Sequence, residues 1–335
     1  MSKIRILVVD DSPFVRKALL RIFDTDPSIE VVGIARNGKE AIEKAEYLRP
    51  DAMTLDVMMP EMDGIETLKI LMEEYPMPVL MLSQFTKEGA ELTLKALELG
   101  AMDFVDKSSV NIMDFANLSS EITAKVRAIA GKKPFRILGQ STEVLEYKSK
   151  GLIDIVALGT STGGPPALQL LLQKFPQDIS FGIVIVQHMP PGFIGPLATR
   201  LNGLCKIKVK EAEDGEKIES GTAFIAPSGL HMTVSKSQVK LVKEPADTIH
   251  RPSVDVMFSS VAENFKRRVI GVIMTGMGSD GARGMEHIKQ KGGITIAQSE
   301  STCTIFGMPR VAIERGVVDK VLPITDIADE IMKTV

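Results

Sequence analysis

The feature that most constrains the fold of this chain is a regular alternation of short apolar runs with segments of helical spacing. Over the first 130 residues, apolar and β-branched runs begin near residues 4, 29, 52, 79 and 103. Between the first two runs, Val15, Leu19 and Ile22 recur at intervals of four and three, which is typical of one helix face. Strands that alternate with helices form parallel sheets with helices on both faces. Residues 1–130 are therefore predicted to form a doubly wound α/β domain.

The same alternation resumes at residue 151 and continues to residue 335. Strand-like runs occur in "IDIVALGTS", "FGIVIVQH" and "VIGVIMTG", and "HMTVSKSQVKLVKEP" is typical of a hairpin. Residues 131–150 break the rhythm with a lysine pair, a proline and scattered polar residues. The sequence thus predicts an α/β protein of two doubly wound, mainly parallel-sheet domains, 1–130 and 151–335, joined by a linker over 131–150.

The distribution of charge argues against a nucleic-acid partner. The formal net charge is −3, but residues 1–130 carry 15 Lys and Arg against 22 Asp and Glu, a net charge of −7. Residues 151–335 carry 20 against 19, a net charge of +1, without the dense basic surface that phosphate contacts require. No apolar run approaches the roughly 20 residues of a membrane span. We therefore expect a cytoplasmic protein without direct membrane insertion, whose two cysteines are buried or idle thiols.

Acidic residues follow two of the strand-like runs in the first domain. Asp10 and Asp11 end the first run and Asp56 ends the third, while Ser83 and Lys107 end the fourth and fifth. The carboxyl ends of parallel strands line one crevice, where clustered carboxylates suit Mg²⁺. Each residue taken alone could be a turn residue or a helix cap. Matching chemistry at four strand ends favours a common site.

These residues also carry a family resemblance. The stretches "VVDDS", "LDVMMPEMDG" and "DFVDKS", with Ser83, resemble the receiver domains of bacterial two-component response regulators over residues 1–125. The resemblance implies that Asp56 accepts a phosphoryl group from a histidine kinase. It implies a Mg²⁺ site formed by three carboxylates and one backbone carbonyl: Asp10, Asp11, Asp56 and Met58. It also implies that Ser83 and Lys107 contact the phosphoryl group and that Phe104 is an aromatic switch.

A glycine-rich turn, "LGTSTGGPPAL", opens the second domain and leaves three readings. Its segment Gly159–Gly163 satisfies G-x-S-x-G, in which Ser161 would be an exposed nucleophile between a strand and a helix. The serine could instead cap the following helix, or the turn could bind a phosphate. The patterns G-x-x-x-x-G-K-[ST] and G-x-G-x-x-G are both missing from it, which counts against nucleotide binding.

A serine nucleophile needs a base, and the chain has only four histidines. His188 ends the run "FGIVIVQH" and should emerge at the same sheet edge as Ser161. His287 lies in a charged helical stretch, and His231 enters the predicted hairpin. His250 precedes a proline in a loop and stays open as an alternative. The position of His188 favours it as the base.

The base in turn needs an orienting acid, and Asp280 is the candidate. It lies in "VIGVIMTGMGSDGARG", just past the end of a predicted parallel strand. Glycines in this turn would let a backbone amide approach a substrate as an oxyanion donor. An Asp-Gly pair is also a common turn signal, so a solvated turn residue is the alternative.

The second domain carries a second resemblance. The stretches "GTSTGGPPAL", "QHMPPGF", "HRPSVDVMF" and "MTGMGSDGARGM" resemble the chemotaxis protein-glutamate methylesterases over residues 151–335. The resemblance implies a triad in which Ser161 is the nucleophile, His188 the general base and acid, and Asp280 the orienting residue. It implies no cofactor for the ester chemistry. The resemblance also implies that the backbone amide of Met277 is the oxyanion donor. Three further residues would line or support the site: Thr160, Thr162 and His250.

Together, the two resemblances imply a phosphorylation-activated serine hydrolase of bacterial chemotaxis. Its substrates would be glutamate methyl esters, and certain glutamines, on the cytoplasmic domains of chemoreceptors, and its phosphodonor a chemotaxis histidine kinase. The residues by themselves reach only a serine hydrolase. Two alternatives stay open: a response regulator whose second domain is a non-enzymatic binding module, and a serine esterase of another substrate.

Overall fold

The computed structural model describes residues 2–84, 86–107, 115–134 and 151–335. The chain divides into two compact units, Met1–Gly139 and Gln140–Val335. Both are α/β units built on mainly parallel sheets, as the alternation of apolar runs predicts. Most of the predicted linker, from residue 135 to residue 150, lies outside the described residues.

The described residues of the first unit form five strands and five helices. The strands are β1 Ile4–Val9, β2 Ile29–Ala35, β3 Ala52–Asp56, β4 Val79–Ser83 and β5 Asp103–Asp106. The helices are α1 Pro13–Asp24, α2 Gly38–Leu48, α3 Gly64–Glu74, α4 Lys87–Leu99 and α5 Phe115–Ile129. The strands pair in parallel in the order β2-β1-β3-β4-β5, so the chain reverses direction across the sheet beside β1. The carboxyl ends of β1 and β3 therefore lie side by side.

Side chains cap the helices that begin at this edge of the sheet. The first four helices each begin after a residue whose side chain accepts a backbone N–H of the first turn. These residues are Ser12, Asn37, Asp63 and Thr86. Because only three residues separate β1 from α1, Asp10 and Asp11 are held in the connection at the sheet edge.

The part of the second unit that the structure describes, residues 151–335, has nine strands and six α-helices. The strands are β6 Ile155–Thr160, β7 Gly182–Gln187, β8 Lys208–Glu211, β9 Thr222–Ile225, β10 His231–Ser235, β11 Gln238–Val242, β12 Val269–Ile273, β13 Ile294–Gln298 and β14 Lys320–Leu322. The helices are α6 Gly164–Leu172, α7 Ile194–Leu204, α8 Val254–Phe265, α9 Ala282–Gln290, α10 Met308–Glu314 and α11 Ile324–Thr334. Strands β10 and β11 form the predicted antiparallel hairpin.

The other seven strands form one parallel sheet in the order β14-β13-β12-β6-β7-β9-β8. After β6 the chain first builds the β7 side of the sheet and later returns to the β12 side. The boundary between β6 and β12 is therefore the topological switch point, the place where open α/β sheets bind ligands. Strands β6, β7 and β12 are buried along their whole lengths. Among the described residues, no helix combines the length and the apolar character needed to cross a membrane.

Packing of α8 against β6 explains the first glycine of the G-x-S-x-G pattern. A Cβ atom on Gly159 would lie 2.3 Å from Cγ1 of Val254 and 3.2 Å from Cζ of Phe258, both on α8. Gly159 thus allows the helix and the central strand to approach closely. Its role in the pattern is one of packing.

We expect Gly159→Ala to lower the free energy of unfolding by about 1–3 kcal/mol, the usual cost of overpacking a core. Gly203→Ala is the matched control, because Gly203 lies in α7 and a Cβ there would meet no atom within 4 Å. That control should be neutral or stabilising by up to about 1 kcal/mol. Urea unfolding of the two variants measures the difference, and equal stabilities would contradict the packing argument.

Candidate functional site

The pairing of β6 with β7 places Ser161 and His188 side by side. Thr160 and Gln187 are partners in the register of these parallel strands, so the next residue of each chain is also adjacent. The amide of His188 donates to the carbonyl oxygen of Thr160 at 3.1 Å. Neighbouring strands lie about 4.8 Å apart. The predicted nucleophile and the predicted base therefore leave the sheet at one edge.

The turn after β6 holds Ser161 through its backbone. The amide of Ser161 donates to the carbonyl of Thr275 at 3.0 Å, and its own carbonyl accepts from Gly164 at 2.8 Å. The N-cap residue of α6 is Gly163, whose φ of +76° suits glycine, and no side chain caps the helix there. Ser161 is thus not the capping residue that one reading of the sequence allows, and its hydroxyl is not committed to the helix.

His188 and Asp280 form a buried pair. Nε2 of His188 lies 2.9 Å from Oδ2 of Asp280, and the two side chains are only 10% and 11% exposed. Nδ1 of His188 is buried and has no hydrogen-bond partner among the described residues. Since the carboxylate occupies Nε2, Nδ1 is the nitrogen that can take a proton from a hydroxyl.

Asp280 is held at the N-terminus of α8. Its carboxylate accepts from the amides of Val254 at 2.7 Å and Asp255 at 3.0 Å, and from the hydroxyl of Ser253 at 2.8 Å. Burial raises the pKa of Asp280, but the hydrogen bonds and the attraction of His188 outweigh it and hold the pKa below the usual range. Asp280 therefore stays ionised next to the imidazole.

The other three histidines lie in different settings. The ring of His250 stacks on that of His188, with centroids 4.2 Å apart and planes at 22°. Burial, followed by repulsion from His188, lowers the pKa of His250 and keeps it neutral near pH 7. His231 is buried in β10, where its Nδ1 accepts from the amide of Ser253. His287 is an exposed residue of α9.

Two threonines tie the turn after β6 to the turn after β12. The hydroxyl of Thr160 donates to the carbonyl of Thr275 at 2.8 Å. The hydroxyl of Thr275 donates to the carbonyl of Thr162 at 2.9 Å. Thr160 and Thr162 thus support the loop of Ser161, and both are buried.

The segment after Thr275 passes directly against the serine. A Cβ on Gly276 would lie 2.8 Å from Cβ of Ser161 and 3.1 Å from its amide nitrogen. Met277, the predicted oxyanion donor, follows next and has a partly exposed side chain. Only glycine at position 276 permits this approach, which brings the backbone of the loop to the serine.

Sequence reasoning misses Gln187, which connects the serine and the histidine. Its amide Nε2 donates to the carbonyls of both Ser161 and His188, each at 2.9 Å, and the side chain is buried. A Cβ on Gly164 would lie 1.9 Å from Oε1 of Gln187, which explains the second glycine of "GG". The only signal in the sequence is a polar residue ending an apolar strand, and that signal fits many roles.

A second site lies in the first unit, at the ends of β1 and β3. Asp10, Asp11 and Asp56 each offer a carboxylate oxygen, and these atoms lie within 4.8 Å of one another. Nζ of Lys107 is 2.5 Å from Asp56 and 3.3 Å from Asp10. Burial and the charge of Asp10 raise the pKa of Asp56 to about 6, although Lys107 opposes them. Four of the predicted residues therefore share one crevice.

The remaining residues predicted for this site surround the cluster or lie near it. The amide of Met58 donates to Oδ1 of Asp56 at 3.3 Å. The hydroxyl of Ser83 accepts from that of Thr93 in α4 at 2.7 Å. Phe104 is buried, and the ammonium group of Lys125 lies 5.6 Å from the centroid of its ring. Ser83 is thus linked to α4 and Phe104 to α5.

The two units together define a class of protein: a response regulator whose output domain carries a Ser–His–Asp arrangement at a sheet edge. The family model for the response regulator receiver domain matches residues 6–115, and that for the CheB methylesterase matches residues 156–331. The chain belongs to the CheB methylesterase family.

Similar proteins cover the whole chain. A protein-glutamate methylesterase/protein-glutamine glutaminase of Halalkalibacterium halodurans is 48% identical over 99% of this chain and 98% of its own length. Its counterpart from Lawsonia intracellularis is 44% identical over 98% of both chains. The crystal structure of the CheB methylesterase catalytic domain of Thermotoga maritima matches with a TM-score of 0.53 and 41% identity, over 55% of this chain and 99% of that one.

We expect Asp280→Asn to lower the free energy of unfolding at pH 7 by about 1.5–3 kcal/mol, because hydrogen bonds to the ionised carboxylate are lost. The pKa of Asp280 lies below its ordinary value of 3.8. The stabilisation is therefore fully present above that value and is lost as the pH falls through it towards the folded pKa.

Urea unfolding at pH 7 and at pH 3 tests this, and the difference between wild type and variant should shrink at pH 3. Asp154→Asn is the control, because Asp154 forms a half-exposed ion pair with Arg268 and should contribute at most about 1 kcal/mol. A variant at position 280 no less stable than the control at pH 7 would contradict the expectation.

Proposed function

We propose that this protein is a phosphorylation-activated serine hydrolase that removes methyl groups from glutamate methyl esters of chemoreceptors and deamidates certain receptor glutamines. The observation that carries the proposal is the His188–Asp280 pair beside Ser161. Nε2 of His188 lies 2.9 Å from the carboxylate of Asp280, and Nδ1 of His188 is buried without a partner among the described residues. Relatives named protein-glutamate methylesterase/protein-glutamine glutaminase, 44–48% identical over nearly the full chain, support the choice of substrate.

In the proposed reaction, Oγ of Ser161 attacks the γ-carbonyl carbon of the methylated glutamate while Nδ1 of His188 takes its proton. The tetrahedral intermediate collapses by breaking the bond to the methoxy group, which leaves as methanol with the proton from His188. The product is a γ-glutamyl ester of Ser161. Water, deprotonated by His188, attacks this acyl-enzyme, and Ser161 leaves with the proton. With a glutamine side chain the first leaving group is ammonia.

The surrounding residues would stabilise the charges that arise in these steps. The ionised carboxylate of Asp280 stabilises the imidazolium of His188. The stacked ring of His250 is neutral and holds the plane of His188. The backbone amide of Met277 is our candidate for the oxyanion donor, because its loop passes within contact distance of Ser161. Gln187 fixes the spacing of the two backbones.

In the first unit, Asp56 is the proposed phosphoacceptor. The three clustered carboxylates fit Mg²⁺, which prefers oxygen ligands. Asp10, Asp11, Asp56 and the carbonyl of Met58 would hold the ion, which would neutralise charge on the phosphoryl group. Lys107, already bridging Asp56 and Asp10, would pair with a phosphoryl oxygen, and Ser83 would donate to another. Phe104 is the proposed aromatic switch.

The proposed partners follow from this chemistry. The substrate is the cytoplasmic domain of a chemoreceptor, and the phosphodonor is a chemotaxis histidine kinase. A cytoplasmic location is part of the proposal, because both partners present their reacting groups there. The esterase steps use only side chains and backbone amides of this chain.

We expect Ser161→Ala to abolish methanol release from methylated chemoreceptor membranes, with a loss of at least about 10³-fold, because the nucleophile is removed. The measurement is the rate of methanol release by the full-length protein with a small phosphodonor present. Ser259→Ala is the matched control, since Ser259 also contacts a histidine, His287, on the surface of α9. It should keep the wild-type rate.

Labelling of Ser161 by a fluorophosphonate probe separates the open alternatives. No labelling of a folded wild type would favour a non-enzymatic binding module. Labelling without methanol release, but with hydrolysis of generic esters, would favour a serine esterase of another substrate.

We expect Asp56→Asn to retain basal methanol release but to lose its stimulation by a phosphodonor, because the amide cannot accept the phosphoryl group. A phosphorylated aspartate adds charge at a buried crevice and can bias a two-state element. Rates with and without acetyl phosphate measure the effect. Stimulation that persists in the Asp56→Asn protein would rule out this residue as the acceptor.

A further inference from the structure

Asp255, which neither the triad nor the oxyanion loop includes, makes a second set of contacts at the edge of the site. Its Oδ1 accepts from the amides of Gly281 at 2.9 Å and Gly284 at 2.8 Å, at the start of α9. Its own amide donates to Oδ1 of Asp280 at 3.0 Å. Asp255 is thus bound to Asp280 directly and to the residues on the carboxyl side of Asp280.

The two aspartates cap each other's helices. Asp280 precedes α9 and accepts amides at the N-terminus of α8, while Asp255 belongs to α8 and accepts amides at the N-terminus of α9. The N-cap of α9 is Gly281, which has no side chain to cap the helix itself. First-turn amides need acceptors, so Asp255 supplies what the local sequence of α9 lacks.

Helix α8 and the start of α9 also pack closely where these caps form. A Cβ on Gly281 would lie 2.7 Å from Cγ1 of Val254, and one on Gly284 would lie 3.1 Å from the Cα of Asp255. Gly281 also has a φ of +97°, which favours glycine. The start of α9 can therefore pack against α8 in only one position. A shift of α9 from that position would move Asp280.

The second oxygen of Asp255 has a different and weaker role. Oδ2 accepts from Nε of Arg283 at 3.1 Å, but the arginine side chain is 73% exposed. Exposed ion pairs contribute little. The structural role of Asp255 therefore depends on Oδ1, which accepts the amides of α9. An asparagine side chain can also provide this acceptor.

We propose that Asp255 is a positioning residue that fixes the carboxylate of Asp280 against His188 through the reciprocal capping of α8 and α9. The inference rests on the proposed hydrolase function, because its consequence is the alignment of the proposed general base. It assigns Asp255 no contact with substrate.

The test compares variants of the full-length, phosphorylated protein in methanol release. Asp255→Ala should lower kcat by about 10–100-fold with KM within about twofold of wild type, since substrate contacts are intact. Asp255→Asn keeps an Oδ1 acceptor and should stay within about threefold of wild type. Arg283→Ala removes only the exposed ion pair and should match the wild type. If the alanine variant does not fold, Asp255→Glu replaces it, because the longer side chain displaces the acceptor while keeping the charge.

A second readout needs no substrate: the NMR signal of the proton that Nε2 of His188 shares with the carboxylate of Asp280. The two side chains that contact the imidazole, Asp280 and His250, are unchanged in these variants. Loss of alignment should weaken this hydrogen bond and shift the proton signal in Asp255→Ala, and should leave it unchanged in Asp255→Asn. This readout separates the inference from the proposed function, because it holds even if no methanol is released.

Three results would overturn the proposal. One is a folded Asp255→Ala or Asp255→Glu protein with wild-type kcat. Another is an Asp255→Asn protein as impaired as the alanine variant. The third is an unchanged signal of the His188 Nε2 proton in every variant.

Discussion

The parallel pairing of β6 with both β7 and β12 is the constraint on which the rest of the second unit depends. It brings Ser161, His188 and the loop before Asp280 out of the sheet at one edge. Three strands buried along their whole lengths form this pairing, so the edge is supported from within the core of the unit. Hydrogen bonds from Thr160, Thr275 and Gln187 then join the loops to one another.

Two buried aspartates illustrate how the same side chain is tuned in opposite directions. Asp280 is surrounded by donors at the start of α8, and its pKa is lowered despite burial. Burial, together with the nearby carboxylate of Asp10, raises the pKa of Asp56 to about 6 despite Lys107. A carboxylate that stays ionised near neutral pH suits a partner for an imidazole. In the acidic cluster, a bound cation would reduce the repulsion between the carboxylates. Such a cluster suits the proposed phosphoryl chemistry.

Most of the fold could be predicted from the sequence, because buried parallel strands are short apolar runs bounded by turn residues. The runs predicted to begin near residues 29 and 79 coincide with β2 and β4, and β10 and β11 form the predicted hairpin. Strand β8, Lys208–Glu211, is not predicted from the sequence because it contains a single apolar residue, Val209, between two lysines. The position of His188 at a strand end also distinguished it from the other three histidines. The catalytic roles of Ser161, His188 and Asp280 stay predictions.

The sequence by itself determined the two α/β units, the strand ends that bear reactive side chains, and the family to which the chain belongs. These follow from periodicity and local motifs, which are properties of neighbouring residues. Only the tertiary structure decided which nitrogen of His188 meets Asp280, that Gln187 joins the serine and histidine backbones, and that Asp255 caps α9. These contacts join residues up to 92 positions apart. They depend on strand order and helix packing, which no local pattern specifies.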